Sequence, residues 1–137
     1  MESGQIVVFE LNNQKYALPI HDVSEIIRIM EVTGVPNMEH FYKGIINLRG
    51  SVVPVMSLSL RLGLEESELS KDSRIIVVEK DEQKLGLIVD CVYSVTQYSE
   101  DQVEEPECVS DEDQFINGIV HQENDMTLLL DLKKLVS

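Results

Sequence analysis

A chain of 137 residues with 25 acidic and 11 basic side chains carries a formal charge of -14, and its length suits one ordinary core or two small ones sharing an interface. So few cations leave no basic patch for phosphates, and an aromatic content of 5% without tryptophan offers little for base stacking, which excludes nucleic acid as a partner. The N-terminus MESGQIVVFEL lacks a basic flank ahead of a sustained apolar run and no stretch has the length to cross a bilayer, so a cytoplasmic protein without direct membrane insertion is expected.

In chain order, Ile6 to Leu11 and Lys15 to Ile20 are short β-branched runs separated by Asn12, Asn13 and Gln14, which is hairpin chemistry. Val23, Ile26, Ile27 and Met30 then fall at helical spacing, with Asp22 at a cap position, and predict a short helix over His21 to Met30. Thr33, Gly34 and Pro36 punctuate the chain before two apolar strands, Gly44 to Leu48 and Ser51 to Leu58, joined across Arg49 and Gly50. Pro54 inside the second strand predicts an edge or a bulge. A turn of helix is expected within Leu60 to Leu69, and Ser70 to Ser73 reads as a connection. Strands follow at 75–80, 84–90, 92–98, 115–121 and 126–131, with a closing helix at 132–136. About ten short strands and few helical residues predict an all-β fold of small barrels or a sandwich.

The chain is also written twice. Residues 5–26 align without a gap on residues 74–95 at an offset of 69, so that Ile6 meets Ile75, Leu18 meets Leu87 and Val23 meets Val92. A second block from Phe41 aligns with the chain from Phe115 at an offset of 74, pairing Gly44 with Gly118 and Leu58 with Leu132. A unit of this length is too long for a solenoid repeat, and the pattern predicts two pseudo-repeats, about 5–69 and 74–136, meeting at a seam where partners bind. The second repeat is longer by five residues between Glu100 and Asp113, a stretch with eight carboxylates and no Lys or Arg that reads as a solvated loop.

Little here is equipped for chemistry. His21, His40 and His121 are scattered without metal spacing, Cys91 and Cys108 fit neither a disulfide framework nor a metal site, and Asp111, Glu112 and Asp113 lack the glycine of a calcium loop. No cofactor, metal or catalytic residue is expected. A catalytic or ligand-binding seam, the competing reading, needs converging acids, bases or a nucleophile, and the repeat-equivalent positions are mostly apolar.

Val35-Pro36, Gly44-Ile-Ile-Asn-Leu-Arg-Gly50, Val53-Pro-Val and Leu62-Gly63-Leu64, with YALPI and VSEIIR before them and GLIVD and LLLDLKKLV after, resemble the CheW-like family of bacterial chemotaxis coupling proteins. The resemblance implies two intertwined five-stranded SH3-like barrels with short helices and a groove between them. It implies a non-enzymatic adaptor joining the cytoplasmic tip of a chemoreceptor, a methyl-accepting chemotaxis protein, to the regulatory domain of a CheA-type histidine kinase. By the same resemblance Ile20, Val23, Ile26 and Val92 line the receptor groove, Arg49 and Glu25 pair beside it to fix orientation, and Gly44 and Gly50 serve backbone geometry at strand ends. The chain departs from the usual pattern at Glu39, Ser57 and Ser59 and in Glu105-Pro106-Glu107, which bears on the receptor or kinase served. Read as complete, it has no fused receiver domain, so phosphorylation of the protein itself is not expected.

Overall fold

A computed structural model describes residues 3–104, 115–122 and 125–136. Its eleven strands among the described residues form two sheets. One has the order β8(Cys91–Ser99), β1(Ser3–Leu11), β2(Gln14–Pro19), β11(Asp125–Leu130), β10(Ile116–Gln122) and β9(Val103–Glu104). The other has the order β3(Val23–Arg28), β6(Arg74–Lys80), β7(Gln83–Val89), β5(Ser51–Ser57) and β4(Tyr42–Leu48). Each sheet is therefore built from both halves of the chain. The first two strands of one half join the remaining strands of the other, four in the first sheet and three in the second, with short parallel pairings of Tyr16 and Ala17 with Leu128 and Leu129, and of Val55–Ser57 with Gly86–Ile88.

Tight turns of left-handed residues make this possible. Asn12 and Asn13, Arg49 and Gly50, and Asp81 and Glu82 all have positive φ, the conformation that matches a two-residue hairpin to the twist of its strands. The expected helix over His21 to Met30 is absent: a 3-10 turn, Ile20–Asp22, leads straight into β3. The helical spacing was produced by two side chains on unexpected faces. Along β3 the pattern alternates strictly, with Val23, Glu25 and Ile27 half-buried and Ser24, Ile26 and Arg28 exposed, so an outward isoleucine and an inward carboxylate imitate a period of 3.6. β5 is interior rather than an edge, and no bulge falls at Pro54. That residue precedes the first pair with β7, Val55 with Gly86, so the ladder on that side asks no N–H of it. The stretch read as a solvated loop begins with a 3-10 turn, Glu100–Gln102, and β9; residues 105–114 lie outside the described residues.

Inward side chains divide into three clusters. Ile6, Val8, Ala17, Val120 and Leu129 form a small cluster on the concave side of the first sheet, and Ile46, Leu48, Val53, Val55, Ile75 and Val77 one on that of the second. The opposite faces of the same strands, including Phe9, Leu18, Ile76 and Leu87, meet in a central cluster shared by both sheets. α1(Leu58–Arg61) and α2(Leu132–Val136) close this layer, with Leu58, Leu132 and Leu135 buried in it. Ser57, one of the departures from the family pattern, caps α1 by accepting from the Leu60 amide at 3.3 Å. Asp131, at the offset of 74, accepts from the Lys133 amide at 3.0 Å and serves α2 in the same way.

Each sheet curls until its far strand meets the chain leaving its near edge. In the second sheet Thr33 bridges Ile45 of β4; in the first, Glu104 of β9 pairs with Ile119 of β10, the residue 74 positions on. Gly44 lies at this closure with φ 142, and a Cβ there would stand 2.0 Å from the Thr33 carbonyl oxygen. Gly50 has φ 85 but open space around it. Gly44→Ala is therefore expected to cost at least about 3 kcal/mol, because backbone must move, and Gly50→Ala about 1 kcal/mol, from the left-handed conformation alone. Urea unfolding of the two variants checks the ranking.

Candidate functional site

The strands that carry the proposed contact residues are edge strands at equivalent places in the two sheets. Val23 of β3 is paired with Val78 and Val92 of β8 with Phe9, and each strand has a bulge at its next residue, Ser24 or Tyr93. Val78 and Phe9 are both in the central cluster, and Val23 and Val92 are half-buried against it. Ile20 lies in the 3-10 turn, which contacts β1 and β6, one strand from each sheet. Ile20 and Ile26 are 37% and 39% exposed, high for isoleucine and consistent with a surface that a partner covers. The structure thus brings Val23 and Val92 onto one cluster, and presents Ile20 and Ile26 to solvent.

Glu25 faces inward from β3 and forms an ion pair with Arg49, whose guanidinium donates from the β4–β5 turn. The pair ties the near-edge strand of the second sheet to its far hairpin. Gly50 stands beside Arg49 in that turn, where its amide donates to the Asn47 side-chain oxygen at 3.0 Å. With the Arg49 side chain 65% exposed, such a pair fixes position more than it stabilises. The sequence offers the other repeat no such pair, since Ser94 stands at the offset of 69 from Glu25 and Glu123 at the offset of 74 from Arg49.

Arg61 was not singled out by the sequence. It projects from the end of α1 into the join between the halves. Its guanidinium carbon lies 4.7 Å from the ring centre of Phe41 and 4.6 Å from that of Phe115, two residues related by the offset of 74. Its Nε donates to the Leu135 carbonyl at 2.8 Å and Nη2 to that of Lys134 at 3.2 Å. One planar cation is stacked on both rings while it satisfies the end of α2. The only available signal was a lone arginine in the apolar run Leu58-Ser-Leu-Arg-Leu62.

The titratable groups among the described residues are not arranged for catalysis. Cys91 is half-buried, and burial, followed by the charges of Glu10, Asp72 and Asp90, raises its pKa above the ordinary thiol value, opposite to what a nucleophile needs. Tyr93 donates to Glu10 at 2.6 Å, and that bond to a carboxylate pushes its pKa up to about 12. Among the described residues no three His, Cys, Asp or Glu side chains gather as metal ligands. An interlocked two-sheet β scaffold, with apolar and ion-paired surfaces instead of a reactive centre, is the class of protein these features define.

Residues 5–137 match the CheW-like domain family, and the chain belongs to it. It is 37% identical over 129 residues to the chemotaxis protein CheW of Bacillus subtilis, covering 93% of this chain and 83% of that one. Protein PilI of Pseudomonas aeruginosa is 31% identical, with 90% of this chain and 70% of PilI covered. The crystal structure of the scaffolding protein TtCheW from Thermoanaerobacter tengcongensis superposes with a TM-score of 0.91 at 40% identity, over 98% of this chain and 92% of that one.

Two outcomes follow from this geometry. Arg61→Ala should lower stability by about 2 kcal/mol, since it unstacks two rings and frees two carbonyls, and Arg61→Lys should recover less than half of that, as a lysine cannot reproduce the planar fork; urea melts distinguish them. In a Cys108→Ser background, Cys91 should alkylate more slowly at pH 8 than a free cysteine peptide, because its raised pKa leaves less thiolate.

Proposed function

We propose that the protein is a non-enzymatic adaptor of chemotaxis signal transduction that couples the cytoplasmic tip of a chemoreceptor to the regulatory domain of a CheA-type histidine kinase. The whole-length match to the CheW-like family carries this reading. Among the described residues, the mostly apolar repeat-equivalent positions and the raised pKa of Cys91 support an adaptor over the competing enzyme or ligand-binding module. Residues 5–69 and 74–136 act in it as the two repeats of a single domain. No helix among the described residues is long and apolar enough to cross a membrane, and the adaptor works in the cytoplasm, recruited to membrane-associated receptor arrays.

The receptor tip, a helical hairpin, lies across Ile20, Val23, Ile26 and Val92, with the Glu25–Arg49 pair setting its orientation. Exposed Ile20 and Ile26 supply apolar area at about 25 cal/mol per Å² buried, and Val23 and Val92 join that area to the central cluster. The ion pair, exposed at one end, contributes register more than affinity. Weak binding per copy suffices where many copies act together.

A pulldown against a receptor signalling tip and a kinase regulatory domain tests the coupling. Ile26→Glu is the informative variant, since Ile26 is exposed in the free protein, whereas Val92→Glu would place a charge against the core. Ile26→Glu is expected to weaken receptor binding about tenfold or more while kinase binding and the melting temperature hold. Binding of neither partner by the wild-type protein would refute the adaptor; unchanged receptor binding in the variant would refute the contact surface.

A further inference from the structure

The two halves differ in what covers the hairpin beside each short helix. After α1 the chain continues as Leu62-Gly63-Leu64-Glu65-Glu66-Ser67-Glu68-Leu69 and reaches the β1–β2 turn. Leu64 packs against the central cluster. Asn12 Nδ2 donates to the Glu65 carbonyl at 3.0 Å, and the Ser67 hydroxyl donates to Asn12 Oδ1 at 2.9 Å. Leu11 at that hairpin is fully buried.

Beside α2, no described residue runs over the matching β6–β7 hairpin, and an open groove of about 330 Å³ lies there. Val78, Leu85 and Val136 give it an apolar floor and Lys80, Lys84 and Lys133 its rim. At the two offsets Lys80 takes the place of buried Leu11, and Lys133 that of buried Ser59. The three ammonium groups make no ion pair or hydrogen bond among the described residues, although Lys15, Lys43 and Arg49 each hold a carboxylate. In a chain with 25 acids, three lysines without a carboxylate partner beside apolar surface make a local site complementary to an anionic group. Asp81 is the one acid lining the groove.

We propose that this groove docks an extended acidic peptide segment of a partner protein, with leucine-type side chains on the floor and carboxylates on Lys80, Lys84 and Lys133. The covering segment 62–69 of the first half is the physical template: apolar at Leu62, Leu64 and Leu69 and acidic at Glu65, Glu66 and Glu68. A bare inorganic anion would meet the lysines and leave the floor unfilled. The proposal stands on this comparison of the halves and is independent of receptor coupling.

The probe is a fluorescein-labelled peptide Leu-Gly-Leu-Glu-Glu-Ser-Glu-Leu, added to the full chain and followed by anisotropy. Saturable binding that weakens with salt is expected, falling about tenfold or more in Lys84→Glu/Lys133→Glu and for a peptide with Gln in place of each Glu. Lys84→Gln/Lys133→Gln serves if the charge reversal melts early. Methyl resonances of Leu85 and Val136 should shift with the peptide. No saturation at millimolar peptide, equal affinity of the Gln peptide, insensitivity to both lysine variants, or displacement by inorganic phosphate as effective as by unlabelled peptide would each overturn the proposal. Shifts confined to Leu11 and Leu64 would also overturn it, since they report exchange with the chain's own segment.

Discussion

The rest of the structure depends on two short parallel pairings, Tyr16 and Ala17 with Leu128 and Leu129, and Val55–Ser57 with Gly86–Ile88. Each joins a hairpin from one half of the chain to a hairpin from the other, and without it neither sheet is wide enough to curl around its own apolar cluster. Space at these joins is tight. A Cβ on Gly86 would lie 2.9 Å from Ile75 Cγ2 and 3.2 Å from Val55 Cγ2, and the same place in the other sheet is held by Ala17, fully buried. Small residues let the strands approach, and the backbone bonds then hold what side chains alone would leave loose. The central cluster follows from this exchange, because it forms only when both sheets are complete.

Strand positions were legible to a large extent, since period-two apolar runs and turn residues at Asn12-Asn13 and Arg49-Gly50 are local signals. The exchange between halves was not legible from periodicity, because a parallel pairing between residues distant in the chain, such as Tyr16 and Leu128, leaves no local mark; the family resemblance alone implied intertwining. β3 shows how local reading fails: Ile26 faces water and Glu25 faces in toward Arg49, so tertiary demands overrode the pattern. Of the site, the Glu25–Arg49 pair came through resemblance and is present, whereas Arg61, which touches both repeats, gave almost no signal in the sequence.

The halves keep the same scaffold and differ in what fills it. Ile27, Leu48 and Val53 pack in the second sheet's cluster, while Thr96, Gln122 and Thr127 occupy their places in the first and line an open polar hollow of about 830 Å³. Backbone register and bulges survive this change because they rest on hydrogen bonds and glycine positions, which do not care whether the concave side is oily or wet. Duplicated architecture therefore provides two surfaces of the same shape and different chemistry, suited to holding two unlike partners at a fixed angle.

Interlocking also governs the order in which the molecule can be made. During synthesis the β1–β2 hairpin leaves the ribosome long before β8 and β11, the strands that flank it, exist. Its β1 edge waits for β8 and its β2 edge for β11, near the C-terminus, so until then one edge stays unpaired and the nascent chain lives as a sticky intermediate. The second sheet, drawn from residues 23–89, has all its strands long before that, so the same topology sets an order in which the first sheet and the central cluster close last.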